Sequence, residues 1–464
     1  MANTPVDCQP EEICMGLYTA LVSNVLFPLQ ERLKKHDTVA IRSAMEDSQW
    51  WPRERIEALQ LERLRQLISH AEQFVPYYRD LFKKIGLTAA DLQSLADLQR
   101  IPFLTKPIIR SNLEGFKSEK AQHLTRFNTG GSSGEPLIFF IGNERVSHDV
   151  AAKWRATRWW NVDIGDREIV VWGSPIELTA QDKVRQIRDR VMRTHLIPAF
   201  EMSEAKLDEF VATIRGFRPT MLFGYPSSIS LIARHAEKRG QIMNDLGIKV
   251  AFVTSERLYD HQREDITRVF GCPVANGYGG RDAGFIAHQC PQGGMHITAE
   301  DIIVEIVDSN GNAVPHGMAG EVVITHLATS EFPFIRYRTG DVAVLSEKSC
   351  ACGRGLPLLE EIQGRTTDFV IAADGTIMHG LAVVYPIRDI PGIASFKVIQ
   401  ETLERVTVQI VPGDKCDANV EALIVDGIKA RLGKSVDVIV QRVANIPCEK
   451  SGKFRYVQSL VVQN

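Results

Sequence analysis

The sequence predicts an α/β protein, with a large N-terminal domain of mixed and parallel sheets flanked by helices and a small α+β domain after it. Three observations lead to this prediction. Strand-like and helical segments alternate between residues 146 and 290, strands dominate from about residue 296, and the last hundred residues mix strands with a helix. At 464 residues the chain is long enough for two or three domains. We place the boundary between a domain of residues 1–364 and a domain of residues 365–464.

The elements follow from hydrophobic periodicity. Residues 1–100 are expected to be helical, since apolar side chains recur at helical spacing from Arg53 to Phe74, and Pro76 is expected to end that helix. The alternating region is predicted to contain helices over 146–160, 205–215 and 229–238 and strands over 137–140, 168–172, 220–223 and 249–254. Further strands are predicted over 302–307, 321–325, 342–345, 396–400, 405–411 and 436–440, and a last helix over 420–432.

Two short segments follow the predicted parallel strands. Gly224-Tyr225-Pro226 comes after one strand, and Ser255-Glu256 comes after the next. Ligands of open α/β sheets bind at the carboxyl ends of the strands. We therefore expect a ligand site within residues 101–364 that includes Ser255 and Glu256.

Composition excludes several classes of protein. A net charge of −3 without a long basic run argues against a nucleic-acid partner. The N-terminus is acidic and polar, unlike a secretory signal, and no apolar run is long enough to predict a transmembrane segment. Residues 15–29 suit a helix packed on the domain, which we favour, or an amphipathic helix on a membrane surface. Eight cysteines are too few for a disulfide scaffold, which favours the cytoplasm.

The run TGGSSGEP at residues 129–136 combines three glycines with three hydroxyl side chains within six residues. Glycines let the backbone approach a ligand, successive N–H groups can bind an anion, and hydroxyls donate to phosphate oxygens. The run lacks the Gly-Lys-Ser/Thr ending of a Walker loop. By itself such a Gly/Ser cluster is more typical of a surface loop than of a phosphate site.

Four further motifs follow in order along the chain. They are YGGRD at 278–282, YRTGD at 337–341, Gly364-Arg365, and SGKFR at 451–455. Together with the glycine-rich run they resemble the adenylate-forming superfamily. The segments LQLERLRQLISHAEQFVPYYRDLF at 59–82, IPFLTK at 101–106 and CACGR at 350–354 resemble the phenylacetate-CoA ligase family, including its relatives from capsule and exopolysaccharide clusters.

This resemblance implies two half-reactions and the cofactors ATP, Mg²⁺ and coenzyme A. A carboxylate attacks the α-phosphate of ATP to give an acyl-adenylate and pyrophosphate, and a thiol then displaces AMP. The large domain would be an adenylation domain, and the small one a mobile lid. The roles implied for individual residues are adenine contact by Tyr278, ribose binding by Asp341, magnesium binding by Asp282 and catalysis by Lys453, with Lys450 as the alternative lysine. Gly279 and Arg365 would contact the nucleotide. Pyrophosphate binding is implied for Thr129, Gly130, Gly131, Ser132, Ser133 and Gly134.

Two positions depart from the family pattern. Arg281-Asp282 stands where most relatives have a hydroxyl residue followed by Glu, so the shorter carboxylate reaches less far toward a metal. Thr367-Asp368 stands where the family has two consecutive acids at the hinge, leaving Asp368 as the remaining hinge acid.

A structural zinc site is the second prediction. Cys350 and Cys352 lie close together, and a distant pair, Cys290 and His296, can complete four ligands. Some members of the phenylacetate-CoA ligase family carry such a zinc. His288 is the competing fourth ligand, because in a strand it would point the same way as Cys290. Reduced cysteines without a metal are the other alternative.

The acyl pocket is predicted beside the strand ends, lined by Trp172, Phe223, Tyr225 and Pro226. Aromatic lining suits an aryl or arylacetic acid, although aromatic residues at strand ends are often core. The leading hypothesis is an AMP-forming acid–CoA ligase with a small-molecule carboxylic acid and coenzyme A as partners. The alternatives are an adenylating enzyme that passes the acyl group to an amine, sugar or carrier protein, and an inactive nucleotide-binding protein. Assembly as a homodimer is left open.

Overall fold

The computed structural model describes most of the chain. The described residues are 16–129, 137–172, 183–199, 202, 204–365, 369–374, 377–379, 381–388, 390–413, 416–417, 419–447 and 455–461.

The N-terminal part of the described chain forms a helical layer. Its α-helices are α1 (Leu17–Leu21), α2 (Phe27–Leu33), α3 (Thr38–Ser48), α4 (Arg53–Phe74), α5 (Pro76–Ile85) and α6 (Lys106–Ser111). A short π-helix over Val22–Leu26 joins α1 to α2. Short 3₁₀-helices lie at Ala89–Asp91, Leu95–Arg100 and Leu113–Phe116. Helix α4 buries Ile56, Leu64 and Ile68 on one face, as the apolar periodicity predicts.

Strands β1 (Thr125–Asn128) and β2 (Ile138–Ile141) form an antiparallel pair after this layer. They are followed by α7 (Asn143–Arg158), β3 (Glu168–Trp172), α8 (Lys183–Met192), β4 (Thr194–Pro198), α9 (Glu204–Phe217), β5 (Met221–Gly224), α10 (Pro226–Lys238), β6 (Val250–Thr254), α11 (Asp260–Phe270) and β7 (Val274–Gly280). The remaining strands of the large unit are β8 (Gly284–Gln289), β9 (Met295–Ile297), β10 (Ile302–Val307), β11 (Ala319–His326), β12 (Tyr337–Ser346) and β13 (Leu358–Arg365).

One sheet of eleven strands organises this unit, in the order β10-β11-β12-β13-β9-β8-β7-β6-β5-β3-β4. Neighbouring strands from β7 to β4 are parallel, whereas those from β10 to β7 are antiparallel. The parallel strands β5 and β6 are buried throughout, because helices cover both faces. Strand β7 is therefore the point where the two kinds of pairing meet.

The last part of the described chain forms a separate small unit. It contains β14 (Phe369–Ile371), β15 (Ile377–His379), α12 (Leu381–Arg388), β16 (Ile393–Gln400), β17 (Arg405–Pro412), α13 (Val420–Leu432), β18 (Asp437–Arg442) and β19 (Val457–Ser459). Four strands pair in the order β18-β17-β16-β19. Val398, Val408 and Ile424 are fully buried members of its own apolar core.

The predicted fold class is confirmed. The helices predicted over 53–74 and 420–432 and the strands predicted over 168–172 and 302–307 have the bounds that the sequence indicated. Pro76 ends α4 but also begins α5, because proline is well tolerated in the first turn of a helix. The boundary between residues 364 and 365 stays a prediction. Among the described residues, none of the helices is both long and apolar enough to span a bilayer.

Gly355 offers a test of how the helical layer joins the sheet. Its N–H donates to the carbonyl oxygen of Gln49 at 2.9 Å, and a Cβ atom there would overlap the carbonyl oxygen of Trp51. Since a backbone atom cannot move aside cheaply, we expect Gly355→Ala to lower the free energy of unfolding by about 1–3 kcal/mol. Gly216→Ala is the control, because this helical glycine faces open space and alanine there adds up to about 1 kcal/mol. Urea unfolding followed by circular dichroism measures both, and an unchanged Gly355→Ala midpoint would contradict the contact.

Candidate active site and metal centre

The carboxyl ends of the parallel strands form one edge of the site. Ser255 follows β6 with φ of 72°, a left-handed conformation that few residues other than glycine adopt. The next residue, Glu256, accepts a hydrogen bond from the backbone N–H of Ser227 at 3.3 Å, in the first turn of α10. A carboxylate at a helix N-terminus is favoured by the unpaired N–H groups and the helix dipole. Ser255 and Glu256 therefore lie at the sheet edge where the sequence places a ligand site.

The turn between β7 and β8 carries Arg281 and Asp282. Arg145 on α7, which is only 2% exposed, donates to the carbonyl oxygen of Arg281 at 2.8 Å and to that of Asp282 at 3.0 Å. A Cβ atom on Gly279 would overlap the carbonyl oxygen of Gly284 across the hairpin, so only glycine fits at this position. A buried guanidinium and a glycine thus hold the YGGRD segment in place.

The two tyrosine-containing motifs are joined reciprocally. The hydroxyl of Tyr278 in the first motif donates to Asp341 Oδ2 in the second at 3.0 Å. The hydroxyl of Tyr337 in the second donates to Asp282 Oδ2 in the first at 2.6 Å. The sheet must curl to permit this, because β7 and β12 are four strands apart and strands are spaced about 4.8 Å. We call these two bonds the tyrosine–aspartate crossing.

Both acidic groups of the crossing have more than one hydrogen-bonding position. A carboxylate accepts about four hydrogen bonds, so it can bind a tyrosine hydroxyl together with other donors. The backbone of Asp341 also pairs with that of Arg365 at the end of β13. The side chain of Arg365 lies outside the described residues.

Thr129 lies at the base of the predicted pyrophosphate loop. Its backbone N–H donates to the carbonyl oxygen of Leu137 at 2.9 Å, and its Oγ1 accepts from the N–H of Leu137 at 2.9 Å. Thr129 thereby extends the pairing of β1 with β2 by one residue. Gly130, Gly131, Ser132, Ser133 and Gly134 lie outside the described residues, as do the predicted catalytic Lys453 and its alternative Lys450.

The segment that follows Lys453 is described from residue 455 onward. Tyr456 packs edge-on against Tyr259, with ring centroids 5.5 Å apart, and against Phe396 of the small sheet at 5.3 Å. Burial raises the pKa of the Tyr456 hydroxyl. Tyr259 lies just beyond β6, so the small sheet contacts the large unit close to Ser255 and Glu256. The chain three residues after Lys453 is therefore docked beside the strand ends.

The predicted acyl pocket residues form an aromatic wall. The rings of Trp172 and Phe223 are nearly parallel with centroids 6.2 Å apart, and Trp172 lies 4.5 Å from Tyr225. Tyr225 and Pro226 are buried at the start of α10, where Pro226 takes the first helical position. The ammonium of Lys153 lies 3.9 Å from the Phe223 ring centroid and 3.0 Å from Glu168 Oε1. The indole N–H of Trp172 is buried and has no acceptor among the described residues.

The four predicted metal ligands converge. The ligand atoms of Cys290, His296, Cys350 and Cys352 all lie within 4.8 Å of one another. Cys290 Sγ is 3.6 Å from Cys350 Sγ, and Cys352 Sγ is 3.2 Å from His296 Nε2. Thiolates on a tetrahedral zinc with bonds of about 2.3 Å stand about 3.8 Å apart. The donor set and its spacing fit zinc.

His288 is not part of this cluster. Strand β8 ends at Gln289 and Cys290 begins a turn, so the alternation that would align residues 288 and 290 does not continue. Instead, the His288 ring stacks on Phe285 with centroids 5.4 Å apart. Burial lowers the pKa of His288 to about 3, so the imidazole is neutral, and neither ring nitrogen has a hydrogen-bond partner among the described residues. The structure thus places His296, not His288, beside the cysteines.

The local fold explains how the cluster forms. The backbone N–H of Cys290 donates to the carbonyl oxygen of Gly294 at 2.9 Å, closing the turn between β8 and β9. A Cβ atom on Gly294 would stand 2.5 Å from Cys350 Sγ and 3.2 Å from His296 Nε2. The hydrogen bond from Cys290 and the contact with His296 hold the pKa of the Cys352 thiol far below its ordinary value. A thiolate at this position is the form that binds a metal.

Sequence reasoning missed two supporting residues. Arg145 carries no local signal, since its partners lie 136 and 137 residues away in the chain. Gly294 had a signal in the run Cys290-Pro-Gln-Gly-Gly-Met-His296, where glycines between two ligands indicate a tight turn. Tyr337 was recognised in its motif, but the bond from its hydroxyl to Asp282 was not predicted.

Comparisons with known proteins agree with this geometry. Residues 192–330 match the family model described as AMP-binding enzyme, and residues 370–459 match the CapK C-terminal domain. The phenylacetate-coenzyme A ligase of Thermus thermophilus is 26% identical over 441 residues, which cover 88% of this chain and 97% of the relative. The chain carries an AMP-binding domain and is a homologue of the phenylacetate-CoA ligases. Protein CapK of Staphylococcus aureus is 23% identical to this chain over 403 residues, which cover 86% of this chain and 88% of CapK.

Solved structures give the same fold. The fold superposes on a crystal structure of 2-hydroxyisobutyryl-CoA ligase in the postadenylation state with a TM-score of 0.72 and 20% identity. The match covers 89% of this chain and 91% of the ligase. The same ligase in the thioesterification state gives a TM-score of 0.60. The predicted fold is therefore confirmed, and the sequence relatives include phenylacetate-coenzyme A ligases.

Tyr278→Phe tests the tyrosine–aspartate crossing. The variant keeps the ring but removes the hydroxyl that orients Asp341, and a hydrogen bond to a charged group is worth about 1.5–3 kcal/mol. We expect the KM for ATP to rise about tenfold or more with little change in fold. Steady-state pyrophosphate release measures this effect. Tyr18→Phe is the matched control, since it loses a 2.9 Å hydrogen bond to the Val191 carbonyl on another surface. Equal KM values in the two variants would show that Tyr278 does not position the nucleotide site.

Proposed function

We propose that this enzyme activates a carboxylic acid bearing an aromatic ring with ATP and Mg²⁺, and transfers the acyl group from the adenylate to coenzyme A. The tyrosine–aspartate crossing is the observation that carries the proposal. It brings one carboxylate suited to a ribose diol and one suited to a hydrated cation to the edge where the parallel strands end. A site for a nucleoside triphosphate with Mg²⁺ needs one carboxylate at the ribose and one at the cation.

The residues act on the nucleotide in separate ways. Asp341 would bind the ribose hydroxyls, held in orientation by Tyr278, while the Tyr278 ring offers an aromatic face to adenine. Asp282, held by Tyr337, would bind Mg²⁺, directly or through a water molecule. Mg²⁺ when bound would neutralise charge on the phosphates. Thr129 and residues 130–134 would hold the pyrophosphate, and Arg365 would contact the nucleotide.

Lys453 would stabilise the attack of the carboxylate on the α-phosphate. An ammonium between two approaching anions offsets their repulsion as charge builds in the transition state. The docked position of Tyr456, three residues later and against Tyr259, supports a placement of this segment beside the strand ends. A small unit with its own core is also the kind of element that can rotate between two half-reactions.

The aromatic wall supports the choice of acid. Trp172 is the partly exposed ring of this group, whereas Phe223 and Tyr225 pack against it and are 8% and 2% exposed. A flat aromatic surface favours an aryl or arylacetyl group over a short aliphatic chain. The buried indole N–H of Trp172 adds one donor that an acid with a polar substituent would satisfy.

A second candidate acceptor is an amine, sugar or carrier protein. The match of residues 370–459 to the CapK C-terminal domain favours it, because these residues belong to the small unit that would meet the acceptor. Release of AMP across a panel of benzoates, phenylacetates and aliphatic acids, with and without coenzyme A, separates the two candidates. If aryl acids form adenylate but coenzyme A never accelerates AMP release, the second candidate replaces the first. If no acid supports ATP–pyrophosphate exchange, the proposed activity is wrong.

Lys453→Ala tests the adenylation step. Loss of a group that stabilises transition-state charge should reduce acid-dependent ATP–pyrophosphate exchange by at least about a hundredfold. Lys450→Ala is the matched control and should retain exchange within about threefold, since it removes the same charge three residues away. Full exchange by Lys453→Ala, with loss in Lys450→Ala, would transfer the role to Lys450.

We also propose that Cys290, His296, Cys350 and Cys352 bind a structural zinc ion. Four protein ligands leave no open position, so the ion would be structural rather than catalytic. We expect about one zinc per purified chain by elemental analysis. Gly294→Ala should lower that content, because its Cβ would press on Cys350 and His296. Gly115→Ala is the control, since its Cβ would make an ordinary contact at 3.6 Å. Protein without zinc after growth in zinc-replete medium would refute the site.

A further inference from the structure

A partly exposed face of the large sheet begins at the aromatic wall. Along β3 the side chains of Glu168, Val170 and Trp172 are partly exposed, whereas the two residues between them are buried. Phe223 of β5 is paired with Val170, so its ring lies on the same face of the sheet. The face therefore runs from Trp172 at the end of β3 to Glu168 at its start, a distance of about 13 Å.

An ion pair lies on this face, away from the strand ends. Lys153 Nζ on α7 is 3.0 Å from Glu168 Oε1 and 3.9 Å from the centroid of the Phe223 ring. An ammonium over an aromatic face is attracted to it, so the ring helps to hold Lys153 against the wall. The side chains of Lys153 and Glu168 are 29% and 18% exposed, so the pair can be reached from outside the core. We call these two residues the wall ion pair.

The wall ion pair combines donors and acceptors. An ammonium has three N–H donors, and among the described residues Lys153 donates one of them, to Glu168. Glu168 Oε2 accepts a long hydrogen bond of 3.5 Å from Thr194 Oγ1, and a carboxylate accepts about four hydrogen bonds. Because the two charges are opposite, the pair has no net charge. It therefore presents both hydrogen-bonding functions side by side without selecting an ion.

These properties match a hydroxyl group on an aromatic ring. A phenolic hydroxyl both donates and accepts, so it can donate to Glu168 while it accepts from Lys153. A carboxylate on the ring would meet the like charge of Glu168. An unsubstituted ring would displace water from both charges and offer no hydrogen bond in return. The wall ion pair thus favours a hydroxylated ring over either of the others.

We propose that Lys153 and Glu168 determine the specificity for the acid, by selecting a hydroxyaryl acid whose ring lies on the aromatic wall and whose hydroxyl bonds the wall ion pair. The selection rests on the proposed function, because it concerns the acid that the enzyme would activate. The carboxylate of that acid would lie toward the strand ends, near the proposed nucleotide site. A site built to bond a substrate hydroxyl discriminates against the analogue that lacks it, since its own polar groups are then left unpaired.

Acid-dependent ATP–pyrophosphate exchange by the full-length protein tests this selection. Benzoic, phenylacetic and cinnamic acids are compared, each unsubstituted, hydroxylated or carboxylated at the meta or para position. In the series whose length fits, we expect kcat/KM for a hydroxylated acid to exceed that for the unsubstituted acid by about tenfold or more. Lys153→Met keeps an apolar stem but removes the donors, and this preference should fall below about threefold.

Glu168→Gln tests the charge balance of the pair. The ammonium of Lys153 then lacks its anion, so the preference for a carboxylated over a hydroxylated acid should rise by about tenfold or more. A residue that only supported the fold would change the rates with all of these acids alike. An unchanged ratio in this variant would contradict a contact between the pair and the ring substituent.

Lys117→Met is the matched control. Lys117 also pairs with a glutamate, Glu114, at 2.8 Å, lies 4.0 Å from the ring centroid of Phe140 and is 28% exposed. This variant should keep the preference of the unaltered protein, and all variants should keep its thermal unfolding midpoint. Equal use of hydroxylated and unsubstituted acids, or an unchanged preference in Lys153→Met, would overturn the selection and leave the proposed function standing. If none of the acids supports exchange, the proposed function fails and the selection fails with it.

Discussion

The tyrosine–aspartate crossing is the interaction on which the site depends. Tyr278 and Tyr337 each bond the aspartate of the other motif, so the YGGRD turn and the YRTGD strand cannot move independently. Each hydroxyl thereby fixes the orientation of one carboxylate. The curl of the eleven-stranded sheet brings the two motifs together. Gly279 and the buried guanidinium of Arg145 hold the YGGRD turn in position. Preorganised charge of this kind lowers the reorganisation needed when a ligand binds.

The Cys/His cluster is a second place where distant segments of the same sheet are held together. It joins the turn after β8 to the loop before β13, and Arg354 in that loop packs on Trp50 and Trp159 and donates to Gln49. The helical layer is thereby tied to the antiparallel half of the sheet, away from the strand ends. A tightly coordinated ion is well suited to such a loop, because the segment between β12 and β13 has little apolar surface of its own to bury.

Two parts of the chain meet near the ends of the parallel strands. The crossing joins the turn after β7 to β12, and the small C-terminal unit contacts the large one nearby, where Tyr456 packs edge-on against Tyr259. The site that we propose for the nucleotide therefore lies close to the contact between the two units.

The sequence by itself determined many of the local elements and indicated the family that the chain resembles. Continuous apolar runs such as residues 250–254 and the periodicity of residues 53–74 and 420–432 contain the information for buried strands and amphipathic helices. Five motifs in order indicated an adenylate-forming ligase. Tertiary structure alone decided which motif bonds which, that His296 and not His288 joins the cysteines, and that Arg145 supports the turn at Asp282. These outcomes depend on contacts between residues far apart in the chain and on where a strand ends, and neither leaves a periodic trace in the sequence.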